Sequence, residues 1–351
     1  MCMNNLKIQL LDCTLRDGGQ GLEASYRAGI SEVRFTKEII SESRDHLVKS
    51  DVDIVELGYI EKSRFIGSPF ANYFSIEDIS RFLPFKKNSK QMYVALFTGP
   101  DTDPNMIPER NPSLVDGTRV ILRYSELEKS VAFCEMLSQK GYNTFVQPML
   151  TMRYTEDELE MLIERANRMH AYALYFVDSF GYMQPEDVER LFRFYDERLD
   201  KKIRIGFHAH NNLNLAFSNA KEFIRIAGDR PVIVDSCAIG MGQGAGNLQT
   251  EIILPHLNRH YGKQYVFDEI LEVCDLIEPL TSYGQWGYSV DRSLPALYNT
   301  AYKYAMIMRM KMKFSYPKIN YVLQNIPNEL RHRYTDENLK SVLDSLANDH
   351  L

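Results

Sequence analysis

The sequence predicts an α/β protein, a closed (β/α)₈ TIM barrel with a small C-terminal helical appendage, and three observations support this fold class. Short apolar runs alternate with amphipathic stretches eight times over about 260 residues of the 351-residue chain, which is the size of such a barrel. Several runs are continuous in Val, Ile, Leu and Phe, as parallel strands buried on both faces require. A doubly wound open sheet is the alternative, but it usually has fewer strands and a GxGxxG motif after the first one, which is missing here.

The elements follow these runs in chain order. Strands are predicted at residues 8–13, 54–57, 92–97, 119–123, 144–149, 174–177, 203–207 and 232–235. Helical patterns include residues 125–141, 155–171 and 185–199. Thr155 provides an N-cap before an acidic first turn, and Pro185 occupies a first turn, where proline is tolerated. The proline-rich connection 99–117 is predicted to be a loop with a short helix.

Strand signals stop after about residue 261, and the remaining sequence is helical and polar. We therefore predict a barrel domain in residues 1–262 and a helical region in 263–351. The methionine- and aromatic-rich helices of that region form adaptable packing surfaces, and we expect them to cover the active site and to support a homodimer.

Composition excludes several classes of protein. A net charge of −6 leaves no basic excess for nucleic acid or a membrane surface, and no run of about 18 apolar residues could span a bilayer. The cysteines are Cys2, Cys13, Cys134, Cys237 and Cys274. Their odd number and scattered spacing are typical of free thiols in a reducing compartment, and the start of the chain lacks the apolar run of a signal peptide. The expected location is the cytoplasm.

Unusual polar residues gather at the predicted strand ends, where barrel enzymes carry their active sites. In the stretch GFHAHNN, His208 and His210 would face the same way on a strand, with Cα atoms roughly 6.5–7 Å apart, so both rings could reach one ion. The alternative is two ordinary polar residues at a strand end. The first strand runs into Arg16 and Asp17, the second into Glu56, the sixth into Asp178.

Asp17 with the two histidines makes a ligand set with open positions for a divalent metal cation. We expect Mn²⁺ first, with Mg²⁺, Co²⁺ or Zn²⁺ as alternatives. A 2-oxo acid can chelate such an ion, and Arg16 would offer a fixed cation where an enolate oxygen develops charge. A structural salt bridge between Arg16 and Asp17 is the alternative.

The eighth strand leads into the glycine-rich turn GMGQGAGN at residues 240–247. Its glycines, including Gly244, serve either a tight turn with positive φ or the close approach of an anionic ligand to backbone N–H groups, and the two interpretations are compatible.

Three motifs in order, TLRDG at 14–18, FHAHNN at 207–212 and GQGAGN at 242–247, resemble the signature of the DRE-TIM metallolyase superfamily, the HMG-CoA lyase-like and pyruvate carboxyltransferase-like barrels. That superfamily includes 4-hydroxy-2-oxovalerate aldolases, HMG-CoA lyases, and isopropylmalate and homocitrate synthases. The resemblance implies that Asp17, His208 and His210 ligate a divalent cation and that Arg16 contacts the enolate oxygen. It places Asn247 on a fourth ligand position.

The stretch VDRSLPALYNTAY at 290–302 looks most like the 4-hydroxy-2-oxovalerate aldolases, whose C-terminal helix carries a functional tyrosine, here Tyr298 or Tyr302. The acid/base histidine of those aldolases is replaced by Gln20, which resembles the synthases and lyases instead. Asn212 stands where the synthases carry aspartate. Gln20, Asp178 and Gly244 are predicted substrate contacts.

The acid/base group has several candidates. A metal-bound water comes first, because the metal lowers its pKa. Glu56, Asp178 and the two tyrosines are the side-chain candidates, and Tyr302 is our catalytic choice between the tyrosines. An equal alternative for Glu56 is that it orients a ligand histidine.

The leading functional hypothesis is a divalent-metal-dependent aldolase, a carbon–carbon lyase that acts on a small-molecule 2-oxo acid through a metal-bound enolate. A Claisen-type acyl transferase that condenses acetyl-CoA with a 2-oxo acid is the alternative, and a non-catalytic metal-binding barrel is the second alternative. The sequence leaves open whether a dehydrogenase is a partner protein.

Overall fold

The computed structural model describes residues 7–29, 31–61, 69–84, 89–281 and 286–348, which excludes Cys2. Its parallel strands are β1 Ile8–Asp12, β2 Ile54–Ile60, β3 Asn72–Tyr73, β4 Met92–Phe97, β5 Gly117–Leu122, β6 Asn143–Pro148, β7 Ala173–Asp178, β8 Arg204–Ala209 and β9 Val232–Ser236. β2 pairs with β4, each strand from β4 to β8 pairs with the next one along the chain, and β1 pairs with both β9 and β2. These pairings close an eight-stranded barrel, and the predicted fold class is confirmed.

All eight predicted strands are present, with ends that differ by a few residues. The largest difference is in β2, which continues to Ile60 because the chain stays fully buried beyond Leu57. β3 was not predicted, since two residues carry no periodic pattern; it pairs only with β2, outside the closed ring.

The helices cover the outside of the barrel and the C-terminal region. They are α1 Gly19–Arg27, α2 Lys37–Lys49, α3 Ile76–Ser80, α4 Leu127–Gln139, α5 Glu156–Arg168, α6 Pro185–Arg198, α7 Ala216–Ala227, α8 Thr250–Tyr261, α9 Phe267–Thr281, α10 Val290–Leu297, α11 Lys303–Met310, α12 Tyr316–Gln324, α13 Asn328–Arg331 and α14 Asp336–Asn348. Thr155 caps α5 in a full capping box with Glu158, as predicted. The proline-rich connection contains one 3₁₀ turn, Pro104–Met106.

Two apolar clusters hold the chain together. The larger one fills the barrel and the layer between strands and helices, and it includes Ile270, Val273 and Ile277 of α9. The smaller one joins α11, α12 and α14. Helix α9 therefore packs with the barrel, although it lies beyond residue 262, where strand signals end. None of the helices in the described part of the chain is long and apolar enough to cross a membrane.

Candidate active site

The carboxyl ends of the strands open into a cavity of about 320 Å³ at the mouth of the barrel. Six of the predicted site residues line it: Arg16, Asp17, Gln20, His208, His210 and Tyr302. The wall on the other side comes from the C-terminal helical region, as expected for a segment that covers the site. The volume falls in the range of small-molecule sites.

Arg16 and Asp17 reach the cavity through a local irregularity in the backbone. Residues Thr14–Gly18 form a π-helical turn directly after β1, and the Asp12 carboxylate accepts a hydrogen bond from the Thr14 N–H at 3.0 Å. All five residues of the turn are buried. Single π-turns are frequent at functional sites, because the extra residue redirects side chains.

Asp17 is the centre of the polar contacts. Its Oδ2 lies 3.0 Å from Nη1 of Arg16, 3.2 Å from Nε2 of His208 and 3.0 Å from Nδ2 of Asn247. Burial alone would raise the pKa of Asp17, but the Arg16 guanidinium and His208 hold it well below its usual range. The carboxylate is therefore charged at any physiological pH.

The two histidines differ in their surroundings. Burial opposes charge on His208, yet Asp17 on one ring nitrogen and Asp235 at 2.9 Å from the other raise its pKa well above the usual value. The half-buried His210 ring lies 5.3 Å from the His208 ring, centroid to centroid. Burial lowers the pKa of His210 to about 4, so its ring is neutral at pH 7.

The donor set fits a divalent cation. Ligand atoms of Cys13, Asp17 and His208 lie within 4.8 Å of one another. Next to them, Oδ1 of Asn247 is buried and has no hydrogen-bond partner among the described residues, although its Nδ2 is bound to Asp17 and to the Met241 carbonyl. An unsatisfied buried oxygen is costly, and a cation would satisfy it.

Cys13 was not predicted as a candidate ligand. Its thiol lies 3.3 Å from that of Cys237 and 3.3 Å from the Ser236 carbonyl. The sequence signal for Cys13 was its position at the end of the first strand. The spacing of the cysteines along the chain does not show it.

A buried ion-pair network supports the site from inside the barrel. Glu56 Oε2 accepts hydrogen bonds from Arg16 Nε at 2.8 Å and from Arg119 Nη1 at 2.7 Å. Arg119 also pairs with Asp235, which in turn contacts His208. Glu56 thus lies behind Arg16, outside the cavity lining, and the carboxylate that orients a histidine is that of Asp235.

Arg119 and Asp235 are positions of this network that sequence reasoning missed. Both stand in strands that carry no other charged residue, GTRVIL and VIVDS. A charged residue in a strand buried on both faces needs a partner, and that signal could have singled them out.

Two other predicted substrate contacts lie beside the cavity rather than in its lining. The Asp178 carboxylate accepts hydrogen bonds from the backbone N–H groups of Tyr182 and Met183 at 2.8 and 3.1 Å. Burial raises the pKa of Asp178 to about 7. Gly244 lies against Tyr302 and Asn212, while the adjacent Gln243 lines the cavity.

The glycine-rich turn is a tight turn with positive φ angles, as one of its two interpretations predicted. Positive φ angles occur at Gly240, Gly242, Gly244 and Gly246. At Gly242, a Cβ would lie 2.2 Å from Nδ2 of Asn247, so only glycine lets Asn247 reach Asp17.

The structure separates the two candidate tyrosines. Tyr302 lines the cavity, and burial raises its pKa to about 12. Tyr298 points into the C-terminal helices, where its hydroxyl donates to Asn320 Oδ1 at 2.7 Å.

Comparisons with known proteins agree with this architecture. The HMGL-like family model matches residues 122–277. The chain is 30% identical over 258 residues to a 4-hydroxy-2-oxovalerate aldolase from Thermomicrobium roseum, covering 72% of this chain and 67% of the relative. It is 28% identical over 284 residues to the enzyme of that name from Pelotomaculum thermopropionicum, covering 78% and 77%. Among solved structures, the N-terminal domain of a Bacteroides vulgatus protein provisionally described as an aldolase shares the fold, with a TM-score of 0.72, 23% identity, and coverage of 89% of this chain and 98% of that domain.

Proposed function

This chain belongs to the HMGL-like family, and from that membership we propose that it is a divalent-metal-dependent aldolase, a carbon–carbon lyase that acts on a 2-oxo acid. The observation that carries the proposal is the floor of the cavity. There Asp17 Oδ2 lies 3.2 Å from Nε2 of His208 and 3.0 Å from Nη1 of the buried Arg16, and Oδ1 of the neighbouring Asn247 has no hydrogen-bond partner among the described residues.

Asp17, His208, His210 and Asn247 would hold the metal; of these, Asp17 and His208, together with Cys13, have ligand atoms within 4.8 Å of one another. When bound, the metal supplies Lewis-acid polarisation of the keto group of the 2-oxo acid. Arg16 adds a fixed positive charge at the same end of the cavity. Because Glu56 and Asp17 hold its guanidinium from two sides, the charge needs no reorganisation as an enolate oxygen develops.

Proton transfer constrains the roles of the remaining lining residues. Cleavage requires removal of the proton from the 4-hydroxyl of the substrate. Tyr302 stays protonated at neutral pH, so it can donate a hydrogen bond but not take up that proton. Gln20 does not titrate, and its Oε1 accepts from Arg16 at 3.2 Å. We therefore assign the proton to water in the cavity.

The test is exchange of the methyl hydrogens of pyruvate in D₂O, read by mass spectrometry of the quenched acid. We expect exchange that depends on added Mn²⁺ and stops with a chelator. His208→Ala should abolish it, whereas His260→Ala, an exposed histidine of α8, should not. In a second assay, pyruvate with an aldehyde should react, and acetyl-CoA with a 2-oxo acid should not. Absence of exchange together with acyl transfer from acetyl-CoA would establish the synthase chemistry instead.

A further inference from the structure

The outer wall of the cavity is cationic although the whole chain is acidic. Lys303 and Arg333, from the C-terminal helical region, are part of its lining, together with the ring of His332. Asp17 is the single carboxylate among the lining side chains of the described residues, and it is already paired with Arg16 and His208. In a protein of net charge −6, this distribution leaves the positive charge of Lys303 and Arg333 without a carboxylate partner among the described residues.

Lys303 is the most informative of these cations. It is the first residue of α11, it is half-buried, and it forms no ion pair or side-chain hydrogen bond with the residues that the structure describes. Burial and the nearby Arg27 both lower its pKa. A half-buried ammonium without a partner costs free energy that an anionic ligand would recover.

Arg333 and the two arginines near His332 are also without carboxylate partners in the described part of the chain. The exposed guanidinium of Arg333 stands at the rim of the cavity. The His332 ring stacks on Phe180, and burial together with Arg153 and Arg331 lowers its pKa. Arg331 donates to backbone carbonyls, and Arg153 lies over the Tyr124 ring, so neither charge is neutralised by these contacts.

Apolar side chains make up much of the rest of the lining, among them Leu96, Ile121, Val177 and Phe180. A ligand that fits this lining has a 2-oxo acid at Asp17 and Arg16, a short carbon chain, and an anion at Lys303 and Arg333.

We propose that the substrate cleaved here carries a second anionic group, a carboxylate or a phosphate, on its aldehyde half, and that Lys303 and Arg333 bind this group. The inference rests on the proposed aldolase function and specifies its substrate class. In cleavage, the bond between C3 and C4 breaks, its electron pair forms the enolate of pyruvate, and the 4-hydroxyl loses its proton as C4 becomes an aldehyde. Protonation of the enolate at C3 completes the balance. The aldehyde product keeps the distal anion.

Binding of matched ligands tests the proposal without turnover. We would measure by calorimetry, with Mn²⁺ present, the affinities of 2-oxoglutarate, 2-oxo-4-phosphonobutyrate and 2-oxovalerate, which differ at the end distant from the keto acid. We expect one of the two ligands with a distal anion to bind at least tenfold more tightly than 2-oxovalerate, and the better one identifies the anion as carboxylate or phosphate. Lys303→Met should remove this preference, and Arg333→Gln should reduce it.

Lys311→Met is the matched control, because Lys311 is exposed just after α11 and outside the cavity. It should retain the full preference. Equal affinities for the three ligands in the native protein, or a preference that survives both Lys303→Met and Arg333→Gln, would overturn the inference. Pyruvate exchange in the native protein is scored separately: exchange without an anion preference refutes only the substrate class, and an anion preference without exchange refutes only the aldolase chemistry.

Discussion

Arg16 lies between two buried carboxylates, and this position determines what its removal does. The sequence left open whether it serves an enolate or a salt bridge, and the geometry has it in both the cavity lining and the ion-pair network. Arg16→Ala should lower turnover by about 10²–10³, the effect of losing one preorganised charge. It should also destabilise the fold by about 3–5 kcal/mol, because Asp17 and Glu56 lose a buried partner.

Urea unfolding and steady-state assays on the same preparation measure both effects. Arg193→Ala is a suitable control, since its pair with Glu189 is exposed and such pairs contribute only about 0.2–1 kcal/mol. A stable Arg16→Ala protein with normal turnover would contradict both roles.

His208 and His210 should determine the metal content of the protein. The double variant His208→Ala/His210→Ala removes two of the expected nitrogen ligands, so metal bound after dialysis should fall to background in elemental analysis. His256→Ala/His260→Ala, on α8, removes the same number of imidazoles away from the site and should keep the native content. Equal metal in both double variants would refute the proposed centre.

At the scale of the element, the glycine-rich turn after β9 positions a ligand residue. Gly242→Ala would bring a methyl group to 2.2 Å from Asn247 Nδ2, so the amide must move away from Asp17. We expect the metal affinity to fall by about 10–100-fold, as for other residues that orient metal ligands. Gly262→Ala is the control: its φ is +68°, but nothing lies within 4 Å of the added Cβ. It should lower stability without changing metal affinity, and equal effects of the two variants would contradict this role of the turn.

The junction of β1 with α8 should make stability depend on pH. Burial raises the pKa of Asp12 from 3.8 to about 6, although Thr14 and Thr250 donate hydrogen bonds to its carboxylate. Between these two values the native state binds more protons than the unfolded chain. The free energy of unfolding should therefore fall as the pH rises from about 4 to about 6, by about 2–3 kcal/mol from this residue.

Asp12→Asn should remove that part of the slope in urea titrations at a series of pH values. Asp344→Asn, at an exposed position of α14, should keep the native slope. An unchanged slope in Asp12→Asn would show that another group is responsible.

At the scale of the whole molecule, α9 completes the barrel and the later helices complete the cavity. A chain ending at residue 262 loses the fully buried Ile270, Val273 and Ile277, each of which contributes about 1.5–3 kcal/mol by burial. Since native proteins are stable by only about 5–15 kcal/mol, we expect this chain not to fold. A chain ending at Thr281 should melt cooperatively in calorimetry. Cooperative melting of the shorter chain at the same temperature would contradict the role of α9. The expected homodimer stays a prediction, which the molar mass in solution checks.

Contiguous motifs were the part of the site that could be predicted. Arg16, Asp17, His208 and His210 all lie at strand ends. The strand period puts the two histidines on one face, whereas Arg16 and Asp17 follow β1 in the π-helical turn. The choice between Tyr302 and Tyr298 as the tyrosine of the site could not be made in this way. Both lie near a helix end, and only the packing of α10 and α12 sends Tyr298 inward.

The sequence by itself determined the barrel, its strand order, and the place of the active site at the strand ends, because these follow from local periodicity and from the fixed handedness of βα units. The tertiary structure alone decided which side chains meet. Asp17 and Asn247 are 230 residues apart and Arg119 and Asp235 are 116 apart, yet each pair is in contact. Contacts at such separations depend on strand register and on the closure of the barrel. The same closure turns Glu56 toward Arg16, and the packing of the C-terminal helices brings Lys303 and Arg333 to the cavity lining.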